Sequence, residues 1–285
     1  MIIQKLYAVF KTEGLGGIIH HLYYRIFPQR MSYIKYCKPL IEAGIGLEIG
    51  GPSSIFSGRG NIPIYSTATR IDNCNFGPAT VWEGAIDDGL TFKFNKRKDP
   101  GRQYLCEASD LSCIESASYD FVLSSHCIEH LANPFQGLAE WIRVLKPGGL
   151  MVLVFPHKDG TFDHRRPVTL LDHLIDDHAA KTGEDDMTHF EEVFELHDFD
   201  RSPGVNDLQE LRARSMLNAE NRCLHHHVFD TALAIEIVHY MGLQIKAVEL
   251  FHPFHIALIV SNPAAPSQVI DNEAFRSFDP GLHFD

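Results

Sequence analysis

The sequence predicts a doubly wound α/β fold, and three stretches carry that prediction. Leu47-Glu48-Ile49-Gly50-Gly51-Pro52-Ser53 is an apolar run that ends in a tight, glycine-bearing turn. Arg70-Ile71-Asp72 follows as a second short strand closing on an acid, about twenty residues later. Tyr119 to His126 reads as a buried strand, followed by a helical stretch and by a second buried strand from Leu150 to Phe155. A strand, a glycine turn and a further strand with an acid at its tip is how an α/β sheet makes a crevice for a nucleoside. Glycine lets the backbone come close to the ligand, and the acid accepts hydrogen bonds from ribose hydroxyls.

Taken in order, residues 1–43 read as a helical extension. Residues 2–10 and 18–27 are apolar and aromatic, split by Glu13-Gly14-Leu15-Gly16-Gly17, and Ile18, Ile19, Leu22, Tyr23 and Ile26 share one helical face. That face suits a lid or a surface for self-association. Neither segment reaches the roughly twenty apolar residues that a membrane span needs. The core, 44–156, begins its sheet near Ile45. Between 73 and 103 every helical candidate is broken by Gly77, Pro78, Gly84, Gly89, Pro100 or Gly101, so the crossover helix after the second strand is missing or reduced. Gln103 to Cys106 is a short third strand. Asn133 and Pro134 make an N-cap and first helical position. Phe135, Leu138, Trp141, Ile142 and Leu145 then recur at helical spacing, and Lys146-Pro147-Gly148-Gly149 stops the helix. Strand, helix and strand in this order form one right-handed parallel crossover.

Residues 157–227 form an insertion rich in His, Asp, Glu and Arg, with helical stretches at Thr169 to Ala180 and Asp207 to Ala219. Residues 228–262 complete the core. Phe229 to Tyr240 reads as a helix ended by Gly242, and Leu243 to Leu250 and Ile256 to Ser261 read as an antiparallel pair. The tail, 263–285, reads as surface. The expected sheet has seven strands, the last antiparallel.

Formal net charge is −12, from 37 acidic and 25 basic residues. No basic excess exists to release counterions from a nucleic-acid backbone, so nucleic acid is not the expected partner. Six cysteines show no Cys-x-x-Cys spacing, and no leader or spanning helix is expected, which points to a reducing cytoplasm.

Glu48-Ile49-Gly50-Gly51, Asp72, Ser109-Asp110-Leu111, Tyr119-Asp120-Phe121-Val122, Ile128-Glu129-His130-Leu131 and Val144-Leu145-Lys146-Pro147-Gly148-Gly149 stand in a telling order. In these residues the chain resembles the class I S-adenosylmethionine-dependent methyltransferases, the broad subgroup with a Glu-His-Leu … Leu-Lys-Pro-Gly-Gly segment. The resemblance covers 44–156 strongly and 228–261 loosely. It departs from the pattern at Pro52 and Ser54, where further glycines usually stand. It implies S-adenosylmethionine as cofactor, with Glu48, Gly50, Gly51 and Pro52 at the methionine end. It further implies Asp72 and its neighbour Asn73 at the ribose, Ser109, Asp110 and the Leu111 backbone at the adenine, and Ser125 and His126 facing the sulfonium.

The insertion is where acceptor chemistry is expected. His157 lies directly after the fifth strand, and a neutral imidazole near pH 7 can accept a proton. His157 and His226 are the candidate proton acceptors. Arg165 and Arg166, beside His164, offer a fork for a carboxylate or phosphate. His130 and His227 are further candidates at the pocket mouth. No metal ligand set is assigned, although a His-Asp cluster of this kind can hold a divalent ion. The polarity of the insertion favours a small polar acceptor, a sugar or another metabolite, methylated at oxygen or nitrogen. Two other readings stay open: a non-catalytic partner or regulatory protein on the same fold, and a metal-dependent hydrolase. The latter rests on His126-x-x-Glu129-His130, an inverted zinc-protease spelling that requires a helix.

Overall fold

The computed structural model describes residues 29–202 and 204–277. The apolar segments at 2–10 and 18–27, with the lid or self-association role expected of them, lie outside the described residues, as does the end of the tail.

Helix α1 (Ile34–Ala43) leads into β1 (Ile45–Ile49), and a short α2 (Ile64–Thr67) precedes β2 (Arg70–Asn75). A small hairpin of β3 (Ala79–Thr80) and β4 (Gly84–Ala85) follows, then β5 (Gly89–Phe92) and β6 (Gly101–Leu105). No helix lies between β2 and β6, because glycines and prolines interrupt each helical candidate. The chain uses that stretch to add β5, an antiparallel edge strand on β6. The sheet therefore has eight strands where seven were expected.

Strand β7 (Tyr119–Ser125), helix α3 (Pro134–Val144) and strand β8 (Leu145–Pro156) form the expected crossover. Asn133 Oδ1 accepts from the Gln136 amide at 3.0 Å, with Pro134 in the first helical turn. Phe135, Leu138 and Trp141 are buried against the sheet, and Trp141 Nε1 donates to the Ala108 carbonyl at 2.8 Å. The insertion holds α4 (Leu171–Ala180), α5 (Phe190–Leu196), α6 (Leu208–Ser215) and α7 (Asn218–Asn221). Helix α5 is one the periodicity did not reveal. Helix α8 (Thr231–Tyr240), capped by the Asp230 carboxylate, precedes β9 (Gln244–Phe251) and β10 (His255–Ser261), and α9 (Glu273–Arg276) closes the described chain.

Sheet order is β5-β6-β2-β1-β7-β8-β10-β9. Strand β1 pairs in parallel with both β2 and β7, so the winding reverses between β1 and β7. Strand β10 runs antiparallel to both of its neighbours. Alternation along each strand divides the core. Leu47, Val122 and Leu153 pack towards α3 and α8, while Phe121, Leu123 and Val154 pack towards α1 and Phe56. Among the described residues no helix is long and apolar enough to cross a membrane.

Candidate functional site

In an open α/β sheet, ligands bind outside the carboxyl ends of the strands where the winding reverses. Here that point is the gap between the tips of β1 and β7. Strand β1 delivers Gly50 and Gly51, and the pairing of Ile49 with Ser124 sets Ser125 and His126 beside them. Gly50 has φ +78°, a left-handed conformation that costs glycine little, and its amide donates to the Cys74 carbonyl at 2.8 Å. A Cβ at Gly50 would meet nothing nearer than the Cys127 sulfur at 3.7 Å, so the space beside this backbone is left open. An open approach to a bare backbone fits the methionine end of S-adenosylmethionine.

The side chains behind the turn hold it rigid. Gly51 N donates to Asn73 Oδ1 at 3.1 Å, and the Gly51 carbonyl accepts from Asn73 Nδ2 at 3.1 Å and Asn75 Nδ2 at 3.2 Å. Glu48 is fully buried and accepts from Tyr65 Oη at 2.6 Å and the Ser53 amide at 2.9 Å. Burial pushes its carboxyl up to about 7 against the pull of those two bonds. A Cβ at Gly51 would stand 2.2 Å from that carboxyl, so only glycine fits there. Glu48 and Asn73 thus support the turn from behind, and Pro52 follows it in the chain.

Asp72 needs correction. The pairing of Leu47 with Asp72 puts it mid-strand, three residues short of the end of β2, and its side chain turns into the core. Both oxygens are taken: Arg70 binds them at 3.0 Å each, the Arg102 amide donates at 2.8 Å and Tyr119 Oη at 3.0 Å. The residue at the tip is Asn75. A one-strand reading could not fix how far β2 continues past the acid. The adenine assignments fare similarly. Asp110 is exposed and accepts from the Ser112 amide, which holds it below the usual carboxylate range. The Leu111 amide is already bonded to Glu140 Oε2 at 2.9 Å, and the Ser109 carbonyl accepts from Gln136.

Opposite the turn, β7 ends in a polar cluster. His126 has φ +52°, and its Nε2 lies 2.7 Å from Nδ1 of His255 on β10. Its Nδ1 is 3.5 Å from Glu129 Oε1. Glu129 is buried, with Oε2 lacking a hydrogen-bond partner. One donor atom each from Glu129, His130 and His225 lies within 4.8 Å of the others. His225 Nδ1 is 2.6 Å from Asp163 Oδ2. Burial opposes the charge on Asp163, but His225 and Arg166 outweigh it and hold the carboxyl down at about 2. A carboxylate on Nδ1 fixes the imidazole tautomer and leaves Nε2 as the base. His130 packs edge-on to His225 at 4.6 Å and to the exposed Trp82 at 5.3 Å, and burial pushes it down to about 4.

The two proposed bases separate. His157 stands at the end of β8, where its amide donates to the Phe254 carbonyl at 2.7 Å and burial lowers its basicity. His226 does not reach the crevice: it is fully buried, its Nε2 lies 3.0 Å from Asn218 Nδ2, and burial pushes it down to about 3. His227 is likewise buried, with Nε2 3.3 Å from the Ala132 carbonyl. The expected arginine fork is also corrected. Arg166 is 1% exposed and spends its guanidinium on Asp163, Glu192 and the carbonyls of His225 and His226. Arg165 is half exposed, 3.5 Å from Asp198, and His164 lies 2.8 Å from the same carboxylate. The inverted zinc-protease spelling is not helical: His126 directly follows a strand and Ile128–His130 is a single 3-10 turn. His255 and Asp163 escaped the sequence reading because strands and loops far apart in the chain bring them to this cluster, whereas Glu129 was visible there in the His126-x-x-Glu129-His130 spelling. His225 was visible only as part of a histidine triplet.

A family profile described as "Methyltransferase domain" matches residues 81–153. A search among curated proteins found no match. Among solved structures, a SAM-dependent methyltransferase from Methanosarcina mazei is 15% identical, covering 83% of this chain and 100% of that one, with a TM-score of 0.46. One from Aquifex aeolicus is 12% identical over 81% of this chain and 89% of that one, TM-score 0.43. The Burkholderia thailandensis 1,6-didemethyltoxoflavin-N1-methyltransferase, with 1,6-didemethyltoxoflavin and S-adenosylhomocysteine bound, is 12% identical over 91% of this chain and 89% of that one, TM-score 0.43. At such identities and scores a likeness says nothing of the acceptor. The profile falls on the strand–helix–strand crossover that forms one wall of the switch-point crevice, so it is there that the chain is similar to a methyltransferase domain.

Proposed function

We propose that the protein methylates an oxygen or nitrogen of a small polar acceptor, such as a sugar or another hydroxylated metabolite, with His225 as the proton acceptor. The observation that carries this reading is the Asp163–His225 pair at 2.6 Å, close to Glu129 and His130 beside the tip of β7. When bound, S-adenosylmethionine supplies an electrophilic methyl carbon on a sulfonium. The protein must hold the acceptor in line at roughly 3 Å, exclude water and take up a proton.

Gly50 and Gly51 receive the methionine end, Ser125 and His126 flank the sulfonium, and Asn75 takes the place at the ribose given to Asp72 by the sequence. Asp163 orients His225, whose Nε2 removes the acceptor proton. Arg165 and His164, at the insertion's surface, suit an anionic group on the acceptor. His157 stays a second candidate base at the tip of β8.

Calorimetry with S-adenosylhomocysteine, paired with a turnover assay on a panel of sugars and amines, tests the reading. His225→Ala is expected to lower turnover by roughly 10²–10⁴-fold, with S-adenosylhomocysteine affinity unchanged. Full activity in that variant would remove His225 from the chemistry. Failure to bind S-adenosylhomocysteine would remove the site.

A further inference from the structure

Four donor side chains that no part of the methyl-transfer reading uses meet inside the insertion. His173 and Asp177 stand one turn apart on α4 and so share a face. His189 immediately precedes α5, and His227 ends the insertion. One donor atom from each lies within 4.8 Å of those of the other three. His173 Nε2 is 3.1 Å from His189 Nε2 and 3.3 Å from Asp177 Oδ2. Nitrogen and oxygen ligands at the usual zinc bond length, about 2.0–2.1 Å, stand roughly 3.3–3.4 Å apart on a tetrahedron. The separations of 3.1 and 3.3 Å lie close to that edge length.

Hydrogen bonding leaves these donors incomplete. Asp177 Oδ2 and His227 Nδ1 have no hydrogen-bond partner, and the two residues are only 9% and 1% exposed. Buried polar atoms are normally paired, so two orphans in one cluster call for a missing partner. The outer contacts are those of ligands held in place. Thr182 Oγ1 donates to Asp177 Oδ1 at 3.0 Å, and the Ala132 carbonyl faces His227 Nε2 at 3.3 Å.

We propose that His173, Asp177, His189 and His227 bind one divalent transition-metal ion of the zinc class. Three imidazoles and one carboxylate are a donor set that zinc accepts, and four protein ligands fill a tetrahedral shell. A closed shell has no position for a substrate, so the ion is structural. It ties α4 and the start of α5 to the 225–227 stretch, which is itself bonded to the core through the His226 amide and the Glu129 carbonyl at 2.8 Å. The inference is independent of the acceptor and of which residue acts as base.

The test is metal analysis of the full chain, purified from zinc-supplemented growth, followed by titration of the chelator-stripped chain with zinc chloride. One zinc per chain and a higher unfolding temperature on zinc return are expected. His189→Ala and Asp177→Asn should each weaken zinc binding by about 10-fold or more, and Thr182→Val, a milder change, by a smaller factor. Cobalt loading separates this site from the thiols Cys74, Cys106 and Cys113, which cluster with sulfurs 3.5 and 2.6 Å apart. An imidazole–carboxylate site gives no sulfur-to-cobalt charge-transfer band. No zinc in a chain that is folded by circular dichroism would overturn the proposal. Zinc retained unchanged in both ligand variants, or a thiolate band with cobalt, would do the same.

Discussion

The sheet core and the insertion it carries are held by different physics. In the core, strands β1, β7, β8 and β10 stack fully buried apolar side chains on both faces, Leu47, Val122, Leu153 and Leu258 on one, Phe121, Leu123 and Ile259 on the other. The insertion has a small apolar cluster, Phe190, Val193, Phe194, Val205, Leu211 and Leu224. Its centre is charge: the buried Arg166 surrounded by Asp163, Glu192 and two carbonyls. Apolar burial is non-directional and tolerates substitution of like for like. A buried ion pair is stable only while every partner is in place. The insertion is therefore specified by particular partners, the sheet core by volume and pattern.

The sharpest way to break this comparison is at Arg166. Arg166→Ala leaves Asp163 buried without its cation, and a loss of about 3–5 kcal/mol is expected. Hydrogen exchange should show that loss in α4 to α6, with β1, β7 and β8 still protected. Equal loss of protection in the central strands would mean that the two regions unfold as one. Leu153→Ala is the counterpart in the core, with about 2–5 kcal/mol expected from the cavity it leaves, and protection falling throughout the sheet.

Proton linkage has opposite signs at one group in each region. Glu48 in the core is raised from 4.5 to about 7, so its contribution to stability is present below pH 4.5 and is lost as pH rises through 7. His197 in the insertion is lowered from 6.5 to about 4, so its contribution is present above 6.5 and is lost as pH falls towards 4. Between those limits, acidification should loosen the insertion around His197 while tightening the β1 turn, read by hydrogen exchange at pH 4.5, 5.5 and 6.5. Glu184, raised to about 7 by burial, and Asp177, also raised by burial, oppose His197 within the insertion and would blunt the effect. Glu48→Gln should remove the β1 turn's share of the pH dependence. The smallest effect is local: Asn133→Ala removes the cap of α3, with about 1 kcal/mol of stability lost in thermal unfolding.

How much of this was legible beforehand follows the same division. The β1 strand and its glycine turn, the Asn133–Pro134 helix start, the buried run at 150–155 and the closing antiparallel pair are local patterns, and each appears close to where its residues put it. The failures were questions of register and partner. Asp72 has the right residue type and lies three residues short of the tip, because strand length is set by pairing with β1 and not by the acid. Arg166 reads as a surface fork and is a buried hub, because its partners, Glu192 and the carbonyls of His225 and His226, are 26 to 60 residues away.

By itself the sequence determined the periodicities, the turn chemistry and the order of strands that make this sheet, since those depend on neighbours a few residues apart. Only the tertiary structure decided which partner each of three adjacent histidines meets. His225 meets Asp163, His226 meets Asn218 and His227 meets Ala132. The reason is that an imidazole takes its role from the partner on its ring nitrogen, and long loops supply those partners.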